Sequence, residues 1–338
     1  MAAAVRERFG IKYQIVPLTA ELIIDVLLLA AEIGGAAIAL KLLSGVQWEW
    51  WIVPLGAAIW AVLWWFGFGV IEYGIGLLGL VTLSFVFSAW RLHPDAQSLI
   101  HSLVPTMPQH KVVRYGFIAV SIVGATISPY LLNFYSSGSV EEKMTEQELW
   151  VNRATSYLGM CFGGVVSMGV LVTSALVLGP KHILADSYEQ TALMFVPVFH
   201  RWAVPLFAAS LGIGCFGAAV ELSLNAGYVF AQVFGWSWGA NRPRRDSARF
   251  SAAFTFVLGA SLLVDLIGFD PLRLTLLSVA LTVVIMPFVV LPFLALMNDP
   301  VYVKSHRSGP IGNGALAVLT VLGGLMALVV IPLEVFGG

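Results

Sequence analysis

Charge is what this sequence has least of. Asp, Glu, Lys and Arg make up 11% of its 338 residues, against about a quarter in an ordinary soluble domain. The hydrophobic share is 59% and the mean hydropathy is +0.88. Together these values exclude a soluble globular protein. A formal net charge of -1 leaves no electrostatic footprint for nucleic acid. The two cysteines, Cys161 and Cys215, are too few for a disulfide framework or a thiolate metal centre. Both lie in apolar runs and read as small buried hydrophobes. The histidines His93, His101, His110, His182, His200 and His306 fall in loops or at helix ends. No Ser/His, His/Glu or paired-Asp arrangement stands out within the apolar runs, so no intramembrane enzyme is implied. The N-terminal "MAAAVRERFGIKYQIVPL" lacks an apolar core followed by a small-residue cleavage site. It reads as a short basic cytoplasmic segment rather than a signal peptide.

What the chain does have is long apolar runs. A helix needs about 20 apolar residues to cross a hydrocarbon core of about 30 Å. Counting such runs predicts about nine spans, near 20–42, 48–66, 73–90, 113–138, 154–179, 202–234, 248–267, 272–297 and 313–335. The runs do not alternate apolar and polar, which excludes a membrane barrel. The whole of 1–338 reads as one all-α polytopic membrane domain. The loops at 91–111 and 180–200 are its longest outer connections. With the N-terminus in the cytoplasm, the inner loops collect Arg6, Arg8, Lys12, Lys143, Arg153, Arg242, Arg244, Arg245, Arg249, Lys304 and Arg307. The outer side receives Arg91, Lys111, Arg114, Lys181, Arg201 and Arg273. That bias follows the positive-inside rule and places the C-terminus outside.

Polar groups at membrane depth are costly and therefore informative. Glu32 lies mid-helix in "LLLAAEIGGAAIALKLL", where the small residues after it admit a close neighbour. Glu72 opens the third span, in "GVIEYGIG", near the cytoplasmic interface. Glu221 and Asn225 are one turn apart and share a helix face. Each also has a purely structural reading, as an inter-helix clamp or a solvated interfacial acid. Glu21 and Asp25 lie close to the expected membrane edge and read as ordinary. The stretch "GATISPYLLNFYSSGS", Gly124 to Ser139, is harder to explain structurally. Pro129 removes a helical donor and frees a carbonyl one turn back. Thr126, Ser128, Tyr130, Asn133 and Tyr135 add oxygens around it. Unwound backbone with side-chain oxygens at mid-membrane is what a secondary transporter uses to hold a substrate or cation.

These residues resemble a known family. "VGATISPYLLNFYSS" is similar to the broken sixth helix of the Nramp divalent-metal transporters, which reads roughly G-A-T-x-M-P-H-x-L. Gly124, Ala125, Thr126, Pro129, Leu132 and Ser136 match by position. "AAEIGGAAIALKLLSGV", with Glu32, resembles the family's third helix. "GVIEYGIGLLGLVTL", with Glu72, resembles its fourth-to-fifth helix junction, and "LHPDAQSLIHSLVPTMP" the outer loop that follows. "MPFVVLPFLALMND" is close to the tenth helix. The resemblance implies a LeuT-like inverted-repeat transporter comprising helices three to eleven of the family. It also implies that the first two helices, with their Asp-Pro-Gly-Asn metal-binding motif, are missing from this chain.

The departures carry information too. Ser128 stands where the family has a methionine, and Tyr130 where it has the following histidine. Tyr135 replaces a second histidine, Ile285 a frequent glutamine, and Leu29 an aspartate three residues before Glu32. A thioether is a soft ligand, whereas a hydroxyl suits hard ions such as Mg²⁺. The family includes Met-lacking relatives that this chain resembles, and these carry magnesium or other hard cations. The departures place proton coupling in question.

The expectation is therefore a secondary transporter of divalent cations, Mg²⁺ or ions of the Mn²⁺/Fe²⁺ type, working by alternating access. The ion would be held at residues 125–130 by Ala125, Thr126, Ser128, Pro129 and Tyr130. Glu32, Glu72, Tyr135, Glu221 and Asn225 are candidates for an ion or proton path. No permanent cofactor, nucleic acid or obligate protein partner is expected, only the ion and the bilayer of a bacterial cytoplasmic (inner) membrane. Two other readings stay open: a LeuT-fold carrier of amino acids or other organic solutes, and a non-transporting fragment.

Overall fold

Backbone donors and acceptors with no water to satisfy them must pair within their own segment, so apolar runs of this length fold as helices. The computed structural model describes residues 1–102, 104, 111–126, 128–304 and 306–336. His110, most of the second half of the 91–111 loop and Ile127 lie outside the described residues.

The first four helices are α1 (Ala2–Phe9), α2 (Ile11–Ser44), α3 (Glu49–Trp65) and α4 (Phe68–Gly79). They are followed by α5 (Leu83–Arg91), α6 (Ala96–Ser102), α7 (Val112–Thr126) and α8 (Pro129–Glu141). Next come α9 (Leu149–Val177), α10 (Tyr188–Ala192), α11 (Val196–Phe199) and α12 (Ala203–Phe234). The last four are α13 (Ala248–Leu266), α14 (Pro271–Asn298), α15 (Pro300–Val303) and α16 (Pro310–Phe336). Among the described residues, eight helical stretches are long and apolar enough to cross a membrane. The seventeen-residue α3 is a ninth, shorter apolar helix. The expected third span is Phe68–Arg91, built from α4 and α5 around a 3₁₀ turn at Leu80–Thr82.

Local chemistry sets several boundaries. The long helix α2 stops at Gly45, which takes the left-handed conformation (φ 74°) that a Cβ would oppose. The start of α14 is fixed by Pro271 in its first turn and by Asp270, whose carboxylate accepts from the Arg273 N–H at 2.8 Å.

Helices α2 and α12 form the centre. Leu29, Ile33 and Ala37 of α2 pack with Leu222, Leu224 and Tyr228 of α12. Ile52, Ile59 and Leu63 of α3 and Phe250, Phe254 and Val257 of α13 close round them. The small residues after Glu32 do admit close neighbours. A Cβ on Gly34 would stand 2.5 Å from the Pro271 ring, and one on Gly35 would stand 2.7 Å from Cys215 Sγ. A second layer joins α7, α14 and α16 through Phe117, Val120, Ala280, Val283 and Ala327. Cys215 is buried, but Cys161 is exposed on α9, contrary to the sequence expectation. On a helix bathed by lipid, apolar character does not mark the inward face.

The charged residues gather at two ends of the bundle. At one end Arg8 pairs with Asp299 (3.2 Å) and Lys304 with Glu146 (3.4 Å). There too, Arg244 donates to the carbonyls of Leu63 (2.6 Å) and Trp64 (3.3 Å) at the end of α3. At the other end Lys41 pairs with Glu189 (2.9 Å) and Arg114 with Asp186 (2.5 Å). Arg8, Arg244 and Lys304 belong to the set expected on the inner side and Arg114 to the set expected on the outer side; Lys41 was assigned to neither.

Candidate functional site

The break in the fourth span is real. Helix α7 ends at Thr126 and α8 begins at Pro129, with Ser128 between them in an extended conformation (φ −89°, ψ 131°). Pro129 suits the first turn of α8, where no helical N–H is needed. The cost falls on the preceding turn: the Ala125 carbonyl has no N–H to accept from four residues on. Ser128 is 5% exposed, and its Oγ is buried with no hydrogen-bond partner among the described residues. A freed carbonyl and an orphaned hydroxyl thus stand three residues apart at the interruption.

The other predicted ligands are placed differently. The Ala125 side chain and Thr126 are exposed, and the Thr126 hydroxyl donates back to the Ile122 carbonyl at 2.8 Å. Tyr130 is half-buried, with Glu221, Glu32 and Asp25 within electrostatic range. Tyr135 is exposed on α8, its ring edge-on to Phe134 at 6.1 Å.

The candidate pathway acids form a chain. Glu32 on α2 is half-buried beside Cys215 and faces Glu221 of α12. Glu221, also half-buried, is in turn within range of Glu72 on α4. Glu72 is exposed and lies within electrostatic range of Glu142, just beyond α8. Asn225 is one turn from Glu221, but it is fully buried and serves different partners.

Those partners are the two acids read as ordinary. Glu21 and Asp25 are 6% and 2% exposed, inside the bundle rather than at its edge. Asn225 Nδ2 donates to Glu21 Oε1 and to Asp25 Oδ2, each at 3.3 Å. Asn133 Nδ2 donates to both Glu21 oxygens, at 2.9 and 3.2 Å. The apolar run starts near residue 20, but the helix starts at Ile11, so Glu21 lies about 15 Å along it. The signal that could have found them is helical periodicity. Glu21 and Glu32, eleven residues apart, differ by only about 20° round the helix axis. Asp25 lies on the same stripe.

An apolar cavity of about 400 Å³ between α2, α3, α4 and α12 is lined by residues such as Leu40, Val62, Ile71 and Phe216. Among the described residues no ionisable side chain lines it, so they offer nothing there to a cation.

A family model described as "Natural resistance-associated macrophage protein-like" matches residues 1–332. The chain belongs to the Nramp family. Among its relatives, the divalent metal cation transporter MntH of Caldanaerobacter subterraneus subsp. tengcongensis is 23% identical over 328 residues, spanning 90% of this chain and 73% of that protein. MntH of Klebsiella pneumoniae is 27% identical over 318 residues, spanning 87% and 71%. MntH of Deinococcus radiodurans is 24% identical over 283 residues, spanning 78% of this chain and 60% of that protein. The Nramp chain also superposes on the crystal structure of the manganese transporter of Eremococcus coleocola in complex with an aromatic bis-isothiourea substituted compound. That match has a TM-score of 0.73 at 15% identity and covers 97% of this chain and 73% of that one. A point mutant of the same transporter gives 0.74, covering 99% and 75%. The fold is therefore the LeuT-like fold of Nramp transporters.

Proposed function

We infer that this Nramp chain is a transporter of divalent metal cations rather than an enzyme. The observation that carries the reading is the proline break at 126–129, with the Ser128 Oγ buried and unpartnered and the Ala125 carbonyl released from its helix. Oxygens of that kind replace the water shell of a cation. Ala125 and Ser128 are the proposed ligands. Thr126, whose hydroxyl is spent on Ile122, contributes backbone only. Pro129 keeps the break open, and Tyr130 covers it from the α2 and α12 side.

The relatives are transporters of divalent metal cations and of manganese by name. The oxygen-only character of the break favours Mg²⁺ as the cargo of this chain. The string Glu32, Glu221, Glu72 and Glu142, flanked by Tyr135, offers carboxylates for balancing charge or passing protons as the bundle rocks. The grouping of Arg6, Arg8, Arg244 and Lys304 at one end supports a cytoplasmic N-terminus in a bacterial inner membrane.

The test is Mg²⁺ and Mn²⁺ uptake into proteoliposomes. Ser128→Ala and Pro129→Ala should each abolish most of the uptake seen with the unaltered chain. Undiminished uptake in both would remove the site from the helix break.

A further inference from the structure

Two carboxylates and two amides meet in the bundle at a point that the helix break does not use. Glu21 Oε1 and Asp25 Oδ2 lie at the same distance, 3.3 Å, from one atom, the Asn225 Nδ2. A donor bridging two carboxylate oxygens stands where a cation would stand. No Lys or Arg balances the pair: the four ion pairs among the described residues all involve other acids. The Met1 ammonium is bonded to Ser136 Oγ (2.9 Å) and Gln232 Oε1 (3.2 Å) and to neither carboxylate.

Two further observations point to a ligand. The Oδ1 atoms of Asn133 and Asn225 are buried without partners among the described residues, on side chains 3% and 0% exposed. Half a turn of either amide exchanges Oδ1 for Nδ2 and turns the oxygen toward the space between the carboxylates, where a cation, and not another acceptor, would be its partner. A small cavity of about 10 Å³, lined by Glu21, Asp25, Leu18, Ala226 and Val229, adjoins the pair. That is about the room one water or one small ion requires.

We propose that Glu21, Asp25, Asn133 and Asn225 form a second cation site, separate from the helix break, for a hard divalent ion such as Mg²⁺. With both amides turned, the donor set is all oxygen, which excludes preference for soft ions. Two carboxylates match the charge of one divalent ion, and pairing is what makes buried charge tolerable. Asn133 is four residues from Pro129, about 6 Å along α8. An ion leaving the break toward the α8 end of the bundle meets this site next.

The experiment measures Mg²⁺ bound to the purified chain in detergent, by equilibrium dialysis and elemental analysis, with thermal unfolding at matched Mg²⁺ concentrations. Glu21→Gln combined with Asp25→Asn should weaken one component of Mg²⁺ binding at least about tenfold. It should also remove the matching Mg²⁺-dependent rise in melting temperature. In Ser128→Ala this component should persist, which separates failure here from failure of the helix-break site. Asn225→Asp adds a third carboxylate and should tighten Mg²⁺ binding. A purely structural clamp would gain only repulsion from it. Unaltered Mg²⁺ binding in the double variant, or weaker or unchanged binding in Asn225→Asp, would overturn the proposal.

Discussion

Gly124 of α7 lies directly against the backbone of Val279 in α14: a Cβ on it would stand 1.9 Å from the Val279 carbonyl oxygen and 2.9 Å from its carbon. The obstacle is main chain, which cannot swing aside as a side chain would. Val283 Cγ2, at 2.9 Å, closes the remaining direction. Gly124 therefore sets how closely the half-helix before the break rests on α14. Gly124→Ala should force the helices apart and cost more than the about 1–3 kcal/mol usual for overpacking. The expected result is a clear fall in melting temperature together with loss of uptake. An unaltered melt would show that the contact is not tight.

Ser128 offers a test of ion choice. Replacing it with methionine substitutes a soft thioether for a hard hydroxyl at the break. Ser128→Met should raise Cd²⁺ uptake relative to Mg²⁺ by about tenfold, equivalent to about 1.4 kcal/mol of relative affinity. Competition uptake in proteoliposomes reads this ratio directly. A ratio equal to that of the unaltered chain would mean that the side chain does not face the ion.

Glu141 ties the end of α8 to the loop after α12. Its Oε1 accepts from the Tyr228 hydroxyl at 3.1 Å and from the Ala240 N–H, and its Oε2 from the Asn241 N–H at 3.4 Å. Glu141→Ala leaves those donors unpaired, at a cost of about 1–3 kcal/mol. Glu141→Gln keeps one acceptor and should lose less. Hydrogen exchange at Ala240 and Asn241 should quicken markedly in the alanine variant. Equal protection in both variants would count against the lock.

Asp265 of α13 is 1% exposed, and neither of its carboxylate oxygens has a partner among the described residues. A buried, unpaired carboxylate costs more than a neutral amide of the same shape. Asp265→Asn should raise stability by about 1 kcal/mol or more, read as a higher melting temperature. A lower melting temperature would mean that the carboxylate holds an interaction that the amide cannot make.

Much of the proposed site was legible because its chemistry is local. The Ser128–Pro129 step flags a weak point in its helix, since a missing N–H and a ring clash need no distant partner. Pro17, Pro54, Pro287, Pro292 and Pro332 lie within continuous helices, so the oxygens around Pro129 were needed to single it out. Glu32 and Glu221 stood out because a charge within an apolar run is conspicuous by itself. Glu21 and Asp25 did not stand out. The apolar count began at residue 20, while the helix begins at Ile11, so two interior acids looked peripheral. The donors that hold them come from Asn133 and Asn225, 112 and 204 residues from Glu21 along the chain.

The sequence alone determined a polytopic helical membrane protein, the order of its spans, and the position of its broken helix. Those features follow from hydrocarbon thickness, backbone hydrogen bonding and proline geometry, all of which act within a single segment. The tertiary structure decided which face of each helix is inside. In lipid both faces are apolar, so Cys161 and Cys215 look alike in sequence, yet one faces out and the other in. Only packing left Ser128 without a partner among the described residues and brought Glu21, Asp25, Asn133 and Asn225 to one point.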